Sequence, residues 1–318
     1  MDTENTNEND KIEDIEAEEE YQEIDYGDDD PGYHTHDYES SRLDLHHEIF
    51  VLLLDGELYK APLDPSKQTR ILDIGTGTGV WAFEMACKFP DAEIIATDLS
   101  PVARFPWGAL ANCRFEVDDV EREWLYQDFQ LYSHEKCFHH RLGLSDGPDV
   151  SVPFLTTLVP INVNFITSTT QPGGWVEISD LGGVCYSDNG TLAVDQGAST
   201  YIETLSDALA RAGRPFQTGA SLKGHLEKAG FVNIQVFRYK QPWGPWSSQK
   251  ALKQAGALFL MQADTGFEAY ALAPLTRILG MGHEEAMQIC KGGIMASKNK
   301  NAHVYNYYHL AIGQKPKY

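Results

Sequence analysis

The sequence predicts an α/β chain built on a doubly wound parallel sheet. Three observations carry this. A short apolar run, Arg70 to Ile74, is stopped by a cluster of glycines. A helical segment, Val80 to Phe89, follows it. Two more apolar runs, Glu93 to Thr97 and Arg114 to Val117, come next. This order, strand then helix then strand then connection then strand, begins a parallel sheet with helices on its faces.

Before the first strand, Leu43, Leu45, Ile49, Phe50, Leu53 and Leu54 recur at roughly helical spacing. The pattern predicts a helix from Tyr38 to about Tyr59, closed by Pro62 and Pro65, so that 38–66 forms an N-terminal helical cap. Residues 127–172 give no clear pattern: histidines, then Gly147-Pro148, then a β-branched stretch interrupted by Pro153 and Pro160. A fourth strand and its helix belong there without a visible position. Order returns at Pro172-Gly173-Gly174 with a strand from Trp175 to Ile178. Ala198 to Ala212 and Ser221 to Ala229 read as helices with glycine at their ends. Phe231 to Tyr239 alternates like a strand, two or three helices fill 249–292 within an insertion over 240–295, and His303 to Ile312 is a final strand.

The chain has 318 residues, 42% of them hydrophobic, enough for one large domain with an insertion. Its net charge of −22 is unevenly placed: the first 30 residues hold fifteen Asp or Glu and one Lys. Residues 1–37 read as a disordered, solubilising acidic tail, with a contact arm for a basic protein partner as the sharper alternative. A polyanionic tail repels phosphates, which argues against nucleic acid as a ligand. Five cysteines without a C-x-x-C pair support neither a disulfide framework nor a structural zinc, and no metal site is expected. The acidic N-terminus is unlike a presequence, and no apolar run approaches the ~18 residues that span a membrane. The expectation is a cytoplasmic protein, with the nucleus as the alternative; no basic nuclear-localisation cluster is present.

The informative segment is Asp73-Ile74-Gly75-Thr76-Gly77-Thr78-Gly79, where the first strand hands over to a helix. Glycines there let the backbone approach a ligand, and the helix start presents free N–H groups. The spacing is G-x-G-x-G, not the G-x-G-x-x-G of dinucleotide sites, and no Gly-Lys-Ser/Thr follows. Asp73 at the strand end suits a cationic amino group and not a pyrophosphate. S-adenosylmethionine has such a group, a sulfonium and no phosphate. Asp98, nineteen positions after Gly79, ends the second strand, where a carboxylate accepts from ribose hydroxyls. Asp118 and Asp119 follow the third strand, within reach of an adenine amino group. Taken singly, Asp98 could instead cap the next helix and the Asp118–Asp119 pair could be solvated charge. Together they place three carboxylates at the carboxyl ends of successive strands, the edge where open α/β sheets bind ligands.

These residues resemble the class I S-adenosylmethionine-dependent methyltransferases, and within them the fungal LaeA-like family of secondary metabolism. The resemblance begins in Arg42-Leu43-Asp44-Leu45-His46-His47 and Leu58-Tyr59-Lys60-Ala61-Pro62. It runs through the glycine loop, Thr97-Asp98-Leu99-Ser100-Pro101, Asn112-Cys113-Arg114-Phe115, Asp118-Asp119-Val120-Glu121 and Trp124. It resumes at Pro172-Gly173-Gly174-Trp175-Val176-Glu177, Pro242-Trp243-Gly244-Pro245-Trp246 and the terminal His303-Val304-Tyr305 with Gly313-Gln314-Lys315-Pro316. It covers roughly 38–316. It implies a Rossmann-like methyltransferase sheet over 38–318 and cofactor contacts at Asp73, Gly75, Gly77, Asp98, Leu99, Asp119 and Val120. It also implies that the helix holding Arg42 and His47 packs over the cofactor pocket.

The family's F-D-x-I-H-x-R strand has as its nearest match Cys137-Phe138-His139-His140-Arg141, without the Phe-Asp pair. A methyl donor with an activated leaving group asks mainly for alignment and dryness, so a general base serves only some acceptors. His47, His139 and His140 are candidates, and none is singled out as catalytic. Trp243, Trp246 and Phe259 fit either an aromatic acceptor pocket or core packing. The expected function is methyl transfer to a small-molecule intermediate of fungal secondary metabolism. The competing readings are a LaeA-like regulator and a catalytically degenerate methyltransferase fold.

Overall fold

Apolar side chains alternate along the first two strands and so build two cores at once. The computed structural model describes residues 35–64, 69–101, 110–119, 129–133, 137–139, 153–156, 163–193 and 196–317. The expected acidic tail lies outside them up to residue 34. In β1 (Arg70–Ile74), Ile71 faces one side of the sheet and Leu72 and Ile74 the other; in β2 (Glu93–Asp98), Ile94 and Ala96 part from Ile95 in the same way. The first side is covered by α1 (Thr35–Leu53) and α2 (Val80–Lys88), with Phe50, Leu54, Trp81 and Met85 in the core. The second is covered by α3 (Val163–Thr169) and α5 (Gly219–Lys228), through Ile166, Leu222 and Leu226.

The sheet continues with β3 (Cys113–Val117), β4 (Phe129–Ser133), β7 (Thr170–Leu181) and β10 (Val304–Gln314), in the order β3-β2-β1-β4-β7-β10. β9 (Val232–Pro242) and the short β8 (Tyr186–Ser187) also pair with β10. The run from β3 to β7 is parallel, whereas β10 is antiparallel to both β7 and β9. The strand order reverses beside β1, which places a crevice at the carboxyl ends of β1 and its neighbours.

The fourth strand of the sheet is Phe129–Ser133, in register with β1 through Leu72 opposite Tyr132. Cys137–His139, the segment nearest to the family's fourth-strand motif, is instead β5 of a separate two-stranded sheet, paired antiparallel with β6 (Pro153–Thr156). His140 and Arg141 lie outside the described residues. The cap helix also ends sooner than its apolar pattern suggests. The chain reverses at Asp55 and Gly56, both with positive φ (60° and 85°), and the Gly56 N–H bonds the Val51 carbonyl at 2.8 Å. Leu58 and Ala61 stay buried beyond that turn, in irregular chain.

Between β9 and β10, where an insertion is expected, stand α6 (Lys250–Ala273), a π-turn (Pro274–Ile278) and α7 (His283–Lys298). With α4 (Gly197–Arg211) these helices enclose a third core of Tyr201, Leu205, Trp243, Phe267, Leu275 and Cys290. Among the described residues no helix is long and apolar enough to cross a membrane, and no group of three or more His, Cys, Asp or Glu is placed to hold a metal.

Candidate functional site

Asp73 and Asp98 end adjacent strands and are buried, 1% and 5% exposed. Between them the glycine loop turns back over β2. The N–H groups of Gly75 and Thr76 both donate to the Thr97 carbonyl, at 2.8 and 2.9 Å. Gly75, Gly77 and Gly79 all have positive φ (73°, 58° and 82°), a conformation that costs other residues about 1–2 kcal/mol each. Gly79 is also the N-cap of α2.

The Asp98 carboxylate holds this loop. Its Oδ2 accepts from the Gly77 N–H at 2.9 Å and its Oδ1 from the Ser100 N–H at 3.0 Å. The cap-like reading and the ligand reading of Asp98 are therefore compatible. An ionised carboxylate has about four acceptor positions, and two are used by backbone. Leu99 beside it is 37% exposed, an apolar side chain turned partly to solvent. On the next strand end, the Asp118 N–H donates to the Asp98 carbonyl, and the Asp118 carboxylate accepts from the Asp119 N–H at 2.8 Å. Asp119 is half-buried there. Six of the seven expected cofactor residues thus gather at one edge; Val120 lies outside the described residues.

α1 forms a roof over the loop. Leu43, His46, His47 and Phe50 line a cleft with Asp73, Gly75 to Thr78, Val80 and Trp81, enclosing about 410 Å³ of empty space with its open mouth included. The Thr78 hydroxyl donates to Asp44 Oδ1 at 2.7 Å. His47 Nε2 and Glu84 Oε2 are 2.9 Å apart, joining α1 to α2, and this contact holds the Glu84 carboxyl below the usual range. His46 Nε2 meets the Tyr270 hydroxyl at 2.7 Å, and the Arg42 guanidinium sits 4.4 Å from the centre of the Tyr270 ring, joining α1 to α6. His47 is engaged structurally, and the roof expected from Arg42 and His47 is in place.

Sequence reasoning missed several contributors. Thr76 Oγ1 lies in the cleft, shielded from water and without a hydrogen-bond partner among the described residues. A ligand supplying a polar group there would satisfy it. Glu177 Oε2 accepts from the N–H groups of Lys60 and Ala61, at 2.8 and 3.0 Å, and the Trp81 indole donates to the Leu58 carbonyl at 2.8 Å. These bonds pin the chain after α1 and so set where the roof lies. The signal was present in two segments, Leu58–Pro62 and Pro172–Glu177, but nothing in one sequence says that they meet.

Trp243, Trp246 and Phe259 belong to packing. Trp243 is 3% exposed, stacked on Phe259 at 5.5 Å and edge-on to Tyr201 and Phe267. Trp246 stacks on His303 at 5.0 Å and donates to the Val304 carbonyl.

The donor set suits the expected cofactor. Two buried carboxylates offer acceptors for an amino group and for ribose hydroxyls, and among the described residues a hydroxyl in the cleft has no partner and neither Lys nor Arg lines the cleft as a phosphate would want.

Comparison with known proteins agrees. The methyltransferase domain family model matches residues 45–236. The chain is 32% identical to methyltransferase pytC of Aspergillus terreus over 293 residues, covering 90% of this chain and 85% of that one. It is 30% identical to the probable methyltransferase tdiE of Emericella nidulans over 280 residues, with 88% and 83% covered. It is also 30% identical to the secondary metabolism regulator LAE1 of Cochliobolus heterostrophus over 284 residues, 87% of each chain. A parallel sheet with its crevice at β1, carboxylates at successive strand ends and relatives spanning nearly the whole chain lead to one conclusion: the chain belongs to the S-adenosylmethionine-dependent methyltransferases, in the group that fungal secondary metabolism draws on.

Proposed function

We propose that this chain methylates a small-molecule intermediate of secondary metabolism, using the strand-end carboxylates and the glycine loop to hold S-adenosylmethionine. The observation that carries the reading is the roofed cleft. Leu43, Phe50, Val80 and Trp81 make its walls apolar, and the two buried strand-end carboxylates stand beside them.

S-adenosylmethionine supplies a methyl group on a sulfonium leaving group. The protein's part is to bind, align and keep dry. In this reading Asp73 receives the amino group and Gly75 and Gly77 let the backbone come close. Asp98 takes the ribose hydroxyls through its remaining acceptor positions. Leu99 lies against the adenine, and Asp119, with Val120 next to it, meets the adenine amino group. α1 excludes water from above. No side chain is assigned as a base.

Two measurements test this. Calorimetric titration is expected to show binding of S-adenosylhomocysteine and none of NAD; the reverse pattern sinks the cofactor assignment. Labelled S-adenosylmethionine, incubated with the protein and a fungal extract, is expected to label small molecules. Label confined to protein would favour the second reading, a regulator like LAE1 whose acidic N-terminal segment contacts a protein partner. That reading is motivated by the LAE1 similarity and the charge of the first 30 residues.

A further inference from the structure

A buried amide stands at the carboxyl-end edge of the sheet without a partner among the described residues. Gln241 is 0% exposed, and neither its Oε1 nor its Nε2 has a hydrogen-bond partner there. β9 runs parallel to β7, since both are antiparallel to β10, so Gln241 near the end of β9 lies at the same edge as Asp73 and Asp98. Two-residue alternation puts Gln241 on the face of Tyr239, and cross-strand pairing puts it beside Asn306 and diagonal to Tyr308. That face packs against the α1 and α6 side of the molecule.

The contrast with its neighbour is informative. The Asn306 amide is used at both ends: its Oδ1 accepts from the Trp243 indole at 3.2 Å and its Nδ2 donates to the Gly182 carbonyl at 3.4 Å. Across the interface, α6 carries a second buried amide, Gln262, whose Oε1 is also without a partner. Gln262 is one turn along from Phe259, which stacks on Trp243, two residues beyond Gln241. Burying an amide without partners is costly, and methionine or leucine would fill the space without that cost. Phe50, which lines the cleft, stacks on Tyr308 at 4.4 Å, and Tyr308 lies 6.4 Å from Tyr239, two residues before Gln241 on β9.

We infer that Gln241, assisted by Gln262, is a specificity-determining residue for the methyl acceptor, and that the acceptor is a neutral, largely aromatic molecule bearing a hydroxyl. A hydroxyl donates to one amide oxygen and accepts from one amide N–H, which matches what Gln241 lacks. Tyr239, Tyr308 and Phe50, in the core on the same face, offer aromatic surface without charge. The hydroxyl read by Gln241 need not be the atom methylated. This inference rests on the small-molecule reading above.

The test uses Gln241→Met, which keeps the volume and removes both polar atoms. In the full chain loaded with S-adenosylhomocysteine, phenol and toluene are the probes, followed by saturation-transfer NMR. The wild type is expected to prefer phenol by roughly tenfold, the worth of one satisfied amide, and Gln241→Met to show no preference. Absence of a preference in the wild type, or its survival in Gln241→Met, overturns the proposal. With labelled S-adenosylmethionine and a fungal extract, Gln241→Met is expected to label small molecules at about a tenth of the wild-type rate. S-adenosylhomocysteine affinity is expected to be unchanged and the melting temperature equal or higher. Equal labelling overturns the proposal. If Gln241→Met does not fold, Gln241→Asn, which withdraws the same amide by one methylene, is put through the phenol and toluene comparison with the same expectation. If the wild type labels protein alone, the small-molecule reading fails, while the phenol preference still decides the role of Gln241.

Discussion

Asp98 holds the glycine loop with the side chain that the proposed reading also gives to the ligand. Its two oxygens hold the N–H groups of Gly77 and Ser100 while keeping lone pairs for a ligand. Asp98→Ala is expected to weaken S-adenosylhomocysteine binding by about 30- to 150-fold, from roughly 2–3 kcal/mol of lost charge-assisted hydrogen bonds. Asp98→Asn keeps one acceptor but turns an NH2 toward a backbone N–H, so it is expected to lose most of the same affinity. Calorimetry on both variants, with circular dichroism to confirm folding, checks this. Undiminished affinity in a folded Asp98→Ala would remove Asp98 from the site.

At the scale of elements, the cofactor roof depends on contacts remote from the cofactor. Glu177 on β7 holds the Lys60 and Ala61 N–H groups, and through them the end of α1. Glu177→Ala leaves two donors without their acceptor and is expected to cost about 2–4 kcal/mol of stability and to weaken S-adenosylhomocysteine binding. Glu177→Gln keeps an acceptor oxygen and is expected to recover most of both. Denaturant unfolding and calorimetry measure the pair. The helical layer is fixed as tightly at Gly256, where a Cβ would collide with the Gly244 carbonyl oxygen. Gly256→Ala is expected to push α6 off the chain after β9 and to cost about 3 kcal/mol or more. In α5, a Cβ at Gly224 meets nothing within 4 Å, and Gly224→Ala is expected to stabilise by up to about 1 kcal/mol through helix propensity. Thermal melts of the two variants should move in opposite directions.

Over the whole molecule, buried histidine couples stability to pH. His309 on β10 is held down to about 4, mainly by burial and secondarily by the Arg238 charge. The folded protein therefore keeps His309 neutral where the unfolded chain, with an ordinary value of 6.5, takes up a proton. Stability contributed by this residue is complete above about 6.5 and falls as the pH drops toward 4, by at most ~3 kcal/mol at ~1.4 kcal/mol per unit. The carboxyls held low by Arg70, by Lys240 and by His47 (on Glu93, Asp188 and Glu84) lose their contribution only below their ordinary values of 4.5, 3.8 and 4.5. Urea unfolding between pH 7 and pH 5 thus reads the histidines without the carboxyls; burial also holds His225 and His303 below 6.5, so His309→Gln is expected to reduce the slope and leave their share.

The sequence by itself determined the parts whose physics is local. β1, α2, β2 and β3 were legible because apolar runs, glycines and helix ends are written in adjacent residues, and the glycine loop with Asp73, Asp98 and Asp119 followed from where those strands stop. Phe129–Ser133 was not legible as the fourth strand: it is a short run, marked as central only by its register against β1 and β7. The end of α1 was overrun because apolar periodicity continues through Leu58 while the backbone has already turned at Asp55 and Gly56. Whether Trp243 lined a pocket or filled a core, which segment Glu177 would hold, and that Gln241 is buried without a partner were decided only by the tertiary structure. Each depends on residues tens to more than a hundred positions apart being brought within a few ångströms, and a hydrogen bond or stacked ring is set by that distance and not by the residue type.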